Sequence, residues 1–222
     1  MSQVDSFLAG NSLASRVAYQ SMRGICVAIC RGWNRATIEG REHIPTTGAF
    51  VLAPVHRSFL DTPISACVTR RRMRFMGKDS MWKNPASGWF LSALGGFPVT
   101  RGTADRQALV RCIHVLESGE PLVVFPEGER KSGAFIQPLF EGAAYVAVKA
   151  GVPIVPVGIG GSEHVMPKGS WFIRPSKLHV IVGPPISPPF EGASARTKVR
   201  TVTAELHAEL QRLFDATQAR VG

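Results

Sequence analysis

At 222 residues the chain fits one domain with a substantial core and is short for two. Its 45% hydrophobic content, with 22 glycines and 16 prolines, describes a loop-rich globular protein and argues against disorder. A net charge of +10 points to an anionic partner, which charge alone leaves open among nucleic acid, acidic carrier protein, phosphorylated metabolite and membrane. The cysteines, Cys26, Cys30, Cys67 and Cys112, form no C-x-x-C and no Cys/His group with zinc spacing. No structural metal is expected, and a reducing cytoplasm is the expected compartment.

Residues 7–36 hold the longest charge-free apolar core near the N-terminus, GICVAIC (24–30), between Arg23 and Arg31. A bilayer needs about 20 apolar residues, so this run cannot span one, and no basic n-region or cleavage site makes it a signal peptide. On a helix, Arg16, Arg23, Arg31 and Arg35 fall within about a third of the circumference. Met22, Ile25, Cys26, Ile29 and Trp33 gather roughly opposite. The pattern fits an interfacial helix, with arginines for head groups and Trp33 at the boundary. It fits equally a first helix packed on the core.

From Thr37 onward, short apolar runs alternate with helix-period segments. AFVLAP (49–54), PLVVFP (121–126), VPIVPV (152–157) and KLHVIVG (177–183) read as strands, several without polar alternation, as in parallel strands buried on both faces. Helices are expected at about 103–118, with Leu109, Cys112, Ile113 and Leu116 on one side, and at about 139–150. A third starts near Ser194 and carries Val199, Val202, Leu206, Leu210 and Leu213. The fold class is therefore α/β: a mixed, largely parallel sheet flanked by helices, preceded by an amphipathic, membrane-associating segment. The boundaries are 1–36 for that segment and 37–222 for the domain. In such sheets ligands gather at the carboxyl ends of strands.

Polar clusters follow those strand ends. In PVHRSFLDTP (54–63), His56 ends a strand and Asp61 starts a helix whose Thr62–Pro63 resembles a cap followed by an N1 proline. Across that turn Asp61 can fold back, hold one ring nitrogen of His56 and leave the other as a base. In isolation the same spacing more often marks a capped turn. RRRMR (70–74) reads as a basic turn, in water or against anionic head groups; without aromatic interleaving it is not a nucleic-acid motif. LGGFPVTRG (94–102) presents Arg101. FPEGERKSG (125–133) places Glu127, Gly128, Arg130 and Lys131 in a tight turn, where an arginine fork and backbone N–H groups could converge on a phosphate. GIGGSE (158–163) lacks the lysine of a phosphate loop and reads as a turn. There is no G-x-S-x-G elbow, Walker A loop, G-x-G-x-x-G or H-E-x-x-H, and no elbow presents Ser58 as a nucleophile.

Taken in order, HRSFLD, GGFPVTR (95–101), FPEGER (125–130) and VPIVPV resemble the four sequence blocks of the glycerolipid acyltransferases of the 1-acyl-glycerol-3-phosphate (lysophosphatidate) type, over about residues 37–185. The resemblance implies that His56, oriented by Asp61, deprotonates the acceptor's own hydroxyl, so no serine nucleophile is required. It assigns Arg101, Glu127, Gly128 and Arg130 to the acceptor's phosphoglycerol, with Lys78 a further candidate. The implied reaction moves a fatty acyl group from acyl-CoA or acyl-carrier protein to the sn-2 hydroxyl of lysophosphatidic acid, giving phosphatidic acid in phospholipid biosynthesis. No cofactor beyond that co-substrate is implied. The expected partners are these substrates and an anionic membrane surface, not nucleic acid, and the expected place is the cytoplasmic face of the cell membrane, peripheral or monotopic. Two departures stand out: Val55 where many members have Asn, and Glu129 where Thr or Ser is usual. The alternatives are another lysophospholipid or a glycolipid as acceptor, or a non-catalytic lipid-binding module.

Overall fold

The structure is a computed structural model and describes residues 12–99, 106–167, 170, 172–188 and 194–221. Seven strands form one sheet: β1 (Thr37–Glu39), β2 (Val51–Pro54), β3 (Arg74–Lys78), β4 (Gly96–Val99), β5 (Leu122–Val123), β6 (Ile154–Gly160) and β7 (His179–Val182). Their order is β1-β7-β6-β2-β5-β3-β4. Strands β2 to β6 run parallel, while β7 is antiparallel to β6 and pairs in parallel with β1. This is the α/β fold with a mixed, largely parallel sheet that the apolar runs imply.

Helices cover both faces. They are α1 (Leu13–Ala28), α2 (Asp61–Cys67), α3 (Pro85–Ala93), α4 (Arg106–Glu117), α5 (Gly142–Ala150), the short α6 (Ser162–Val165) and α7 (Ala195–Val221). Strand pleating divides the apolar side chains between two cores. Val51, Ala53 and Val55 join Cys112, Leu116, Ala144, Leu206 and Leu210 under α4, α5 and α7. Phe50 and Leu52 turn the other way, to Ile64 of α2, Met73 and Val155. Strands β2 and β6 are buried at every residue, which explains their lack of polar alternation.

The sheet is longer than the sequence indicates. In GIGGSE the first three residues extend β6, and only Ser162 begins a helix. A Cβ at Gly158 would lie 2.7 Å from the Leu213 carbonyl group, and one at Gly160 equally close to that of Thr217. The glycines therefore let α7 lie against β6. RRRMR is likewise not a free basic turn. Arg71 donates to the Pro45 carbonyl, Arg72 to those of Ser92 and Ala93, and buried Arg74 pairs with Glu120. Only Arg70 of that run is exposed.

Helix α1 continues into a π turn, Ile29–Trp33. It is tied to the domain by polar contacts: Met73 N–H donates to the Tyr19 hydroxyl (3.0 Å), and Arg23 Nε donates to the Ala66 and Thr69 carbonyls (3.1 and 2.7 Å). Arg23 thus faces protein, and Met22 and Cys26 are half-buried, whereas Ile25, Ile29 and Trp33 are exposed. The apolar set expected on one side is split between the domain and solvent. Among the described residues, no helix is long and apolar enough to cross a membrane.

Candidate active site

The carboxyl ends of β2 and β5 are adjacent because these strands pair in parallel, Val51 beside Leu122 and Leu52 beside Val123. The chain leaves β2 for α2 and reaches β3 beyond β5, so the order reverses here, where open α/β sheets bind ligands. His56 leaves β2 and Glu127 leaves β5 at that place.

Asp61 is the first residue of α2 and is fully buried. Its carboxylate reaches back into the turn: the N–H groups of Arg57 and Ser58 each donate to Oδ2 at 2.6 Å. The same oxygen lies 3.1 Å from His56 Nδ1. A carboxylate can only accept, so this contact places the proton on Nδ1 and leaves Nε2 as the basic nitrogen. Thr62 makes no capping bond, and Pro63 is the third residue of the helix rather than the first. The His56 ring also stacks on Phe125, centroids 4.0 Å apart, which fixes its plane. His56 keeps 16% side-chain exposure beside a fully buried partner, so its ring is open to the outside while Asp61 is not.

Glu127 is fully buried, and both carboxylate oxygens lie 2.8 Å from Arg57 Nη1. Oε1 also accepts the His56 N–H and Oε2 that of Gln137, both at 3.3 Å. Glu127 thus anchors the histidine turn through both of its carboxylate oxygens. Arg57 is itself buried, stacks over Phe214 at 4.9 Å and donates to the Phe135 carbonyl. Lys131 N–H donates to the His56 carbonyl at 2.9 Å, so the two turns are joined from both sides.

Gly128 also has a conformational task. Its φ is 73°, a Cβ there would lie 2.7 Å from the Phe140 ring, and its N–H closes the turn onto the Phe125 carbonyl. That N–H is therefore not free for a phosphate. Arg130 is the arginine held at the surface of this turn, its guanidinium 3.5 Å from the centroid of the exposed Phe59 ring. Glu129 pairs with Lys131 at 2.7 Å, which offsets its charge beside Arg130. Lys78 is exposed at the carboxyl end of β3. Arg101 lies outside the described residues. Ser58 is buried, and its hydroxyl donates to the Met166 carbonyl.

Sequence reasoning missed Arg57, Phe125 and Phe59. The pairing of Arg57 with Glu127 shows only in the fold, where β2 and β5 lie side by side and bury both groups. Aromatic neighbours of His56 and Arg130 become visible only once the turns are folded.

Comparison with known proteins places these features in context. A family profile described as Acyltransferase matches residues 35–160. The chain is 31% identical over 156 residues to the chloroplast 1-acyl-sn-glycerol-3-phosphate acyltransferase of Brassica napus, covering 68% of this chain and 45% of that one. It is 25% identical to the 1-acyl-sn-glycerol-3-phosphate acyltransferase of Bacillus subtilis, covering 79% and 86%. The crystal structure of the 1-acyl-sn-glycerophosphate (LPA) acyltransferase of Thermotoga maritima superposes with a TM-score of 0.72 at 26% identity, over 90% of this chain and 81% of that one. The chain spans less than half the length of the plant and algal relatives it matches.

Proposed function

Since the chain belongs to the acyltransferase family, we propose that it transfers a fatty acyl group from a thioester, acyl-CoA or acyl-carrier protein, to the sn-2 hydroxyl of lysophosphatidic acid. The product is phosphatidic acid. The observation that carries this reading is the His56–Asp61 pair at 3.1 Å, oriented on Phe125 and flanked by the Arg130 turn. Relatives named for 1-acyl-sn-glycerol-3-phosphate support the acceptor.

In this mechanism His56 Nε2 takes the proton of the acceptor hydroxyl as its oxygen attacks the thioester carbonyl carbon. Asp61 holds the ring and stabilises the imidazolium that forms. The tetrahedral intermediate collapses with cleavage of the carbon–sulfur bond, and the imidazolium returns its proton to the departing thiolate. No acyl-enzyme forms, and no cofactor beyond the acyl thioester takes part. General-base assistance of this kind is worth about 10²–10⁴ in rate. Arg130, with Arg101 and Lys78, neutralises the acceptor phosphate, a dianion suited to arginine forks. The enzyme works at the cytoplasmic face of a membrane, attached peripherally through α1.

The test supplies purified protein with an acyl-CoA and a panel of lysophosphatidate, lysophosphatidylcholine and a glycolipid, following thiol release and lipid products by mass spectrometry. Phosphatidic acid as the main product is expected. Transfer to the glycolipid but not to lysophosphatidate would overturn the acceptor.

A further inference from the structure

Helix α3 (Pro85–Ala93) was not foreseen from sequence, and it carries an unpartnered apolar face. It packs beside β4, the strand at the edge of the sheet. Its inner side is seated on Trp82, whose ring lies against Gly77 of β3, Gly88 of α3 and Gly96 of β4 so closely that a Cβ at any of the three would crowd it. Trp82 Nε1 donates to Ser92 Oγ at 3.0 Å, and Asn84 caps the helix by accepting the Ala86 N–H. With Gly88 and Ala93 buried, Trp89 (56% exposed) and Phe90 (40%) are left outward, next to Met81 (48%) in the preceding turn. Large side chains of this kind in one short segment, on a rigid seat, mark an interaction surface.

The charge around this face selects its partner. Helix α3 packs against α1, whose Leu13, Val17, Ile25, Ile29 and Trp33 are also exposed. No acidic residue occurs from Ser12 to Ile38 or from Ser80 to Val99, while exposed Arg16, Arg31, Arg35 and Lys83 lie within these stretches. Exposed Asp79 opens the turn that carries Met81, but exposed Lys78 and Lys83 stand on either side of it in sequence, so the segment carries net positive charge and is complementary to an anionic bilayer: rings enter the head-group boundary and bases meet lipid phosphates. We propose that α3, through Met81, Trp89 and Phe90, is a second membrane-docking element that together with α1 sets the enzyme on an anionic bilayer. This rests on the reading that the substrates are lipids. Helix α1 packs against α2, whose first residue is Asp61, and α3 packs against α1, so the docking surface adjoins an element of the site. The lipid acceptor would then reach His56 from the bilayer on that side.

The experiment measures binding of the full chain to phosphatidylcholine vesicles with and without phosphatidylglycerol, by sedimentation. Wild type should prefer the anionic vesicles. Met81→Ser/Trp89→Ser should bind them more weakly by about tenfold or more, since each side chain loses its burial in lipid. The same variant should keep wild-type kcat with a short-chain, monomeric lysophosphatidate and an unchanged thermal midpoint. Val110→Ala, an exposed apolar side chain on α4, should bind vesicles as wild type does. Equal vesicle binding by wild type and the double variant would overturn the proposal, as would wild-type binding to single-stranded RNA in place of vesicles. Activity on the monomeric acceptor is read separately, so its absence would sink the acyl-transfer reading alone.

Discussion

At the scale of the residue, the site turns on two buried carboxylates with different tasks. Asp61 spends one oxygen on three donors and so holds His56 and the backbone that carries it. Glu127 meets a guanidinium and bonds the His56 N–H. Removing one partner of a buried pair leaves an uncompensated charge, so Arg57→Met should lower stability by about 3–5 kcal/mol. Replacing both, Arg57→Met/Glu127→Leu, should recover most of that loss in denaturant melts while kcat stays low, because the histidine turn has lost its anchor. Recovery of kcat along with stability would mean that the pair serves the fold alone. Phe59 makes a sharper prediction about specificity. Phe59→Ala frees the Arg130 guanidinium from its ring, so KM for lysophosphatidate should rise several-fold with kcat little changed, and Phe59→Tyr should restore it. Equal KM values would separate Arg130 from the ring or from the phosphate. The His56–Asp61 pair was legible only when HRSFLD was read with GGFPVTR and FPEGER as ordered blocks, because the five-residue spacing alone more often marks a capped turn. The pairing of Glu127 with Arg57 was not legible, because sequence shows a carboxylate's charge but not what faces it.

At the scale of the element, hydrophobic period located β2, β5, β6, β7, α4, α5 and α7, all of which bury continuous or one-sided apolar sets. It missed β1, β3, β4, α3 and the short α6. Strand β3 begins with Arg74, whose charge conceals a strand that buries it through Glu120. Helix α3 is apolar nearly all round, so it shows no amphipathic contrast, and its glycine suggests a loop rather than a seat for Trp82. The ends of β1 and α7 meet through Glu39, which lies 3.2 Å from His179 Nε2 and 2.7 Å from Arg220. Burial holds the His179 pKa below its usual value, outweighing the attraction of Glu39 and aided by Arg220 and Lys177. The unfolded chain therefore takes up this proton more readily than the folded one. The corresponding stability is complete above the unfolded value, about 6.5, and is lost as pH falls through the lower folded value. Denaturant midpoints of wild type should drop between pH 7.5 and 5.5 more than those of His179→Gln. Parallel pH profiles would remove His179 from this role.

At the scale of the whole molecule, the architecture follows from buried strands alternating with helices, and its most informative consequence is where the sheet reverses direction. That reversal brings the ends of β2 and β5 together, and with them blocks of sequence about seventy residues apart. The excess of positive charge was legible as a preference for anions. Its partition was not: Arg23, Arg57, Arg71, Arg72 and Arg74 satisfy carbonyls and carboxylates within the fold. Of the basic side chains left exposed, Arg16, Arg31, Arg35 and Lys83 lie in or beside α1 and α3 in sequence, while Lys149, Arg196, Arg200 and Arg212 lie on α5 and α7. In the proposed mechanism the nucleophile arrives on the lipid and His56 activates it. The most direct test of this is the steady-state rate of thiol release from acyl-CoA with saturating lysophosphatidate, for wild type and His56→Ala at equal fold content. A fall in kcat of about 10²–10⁴ is expected, whereas a variant that keeps the wild-type rate would contradict this role of His56.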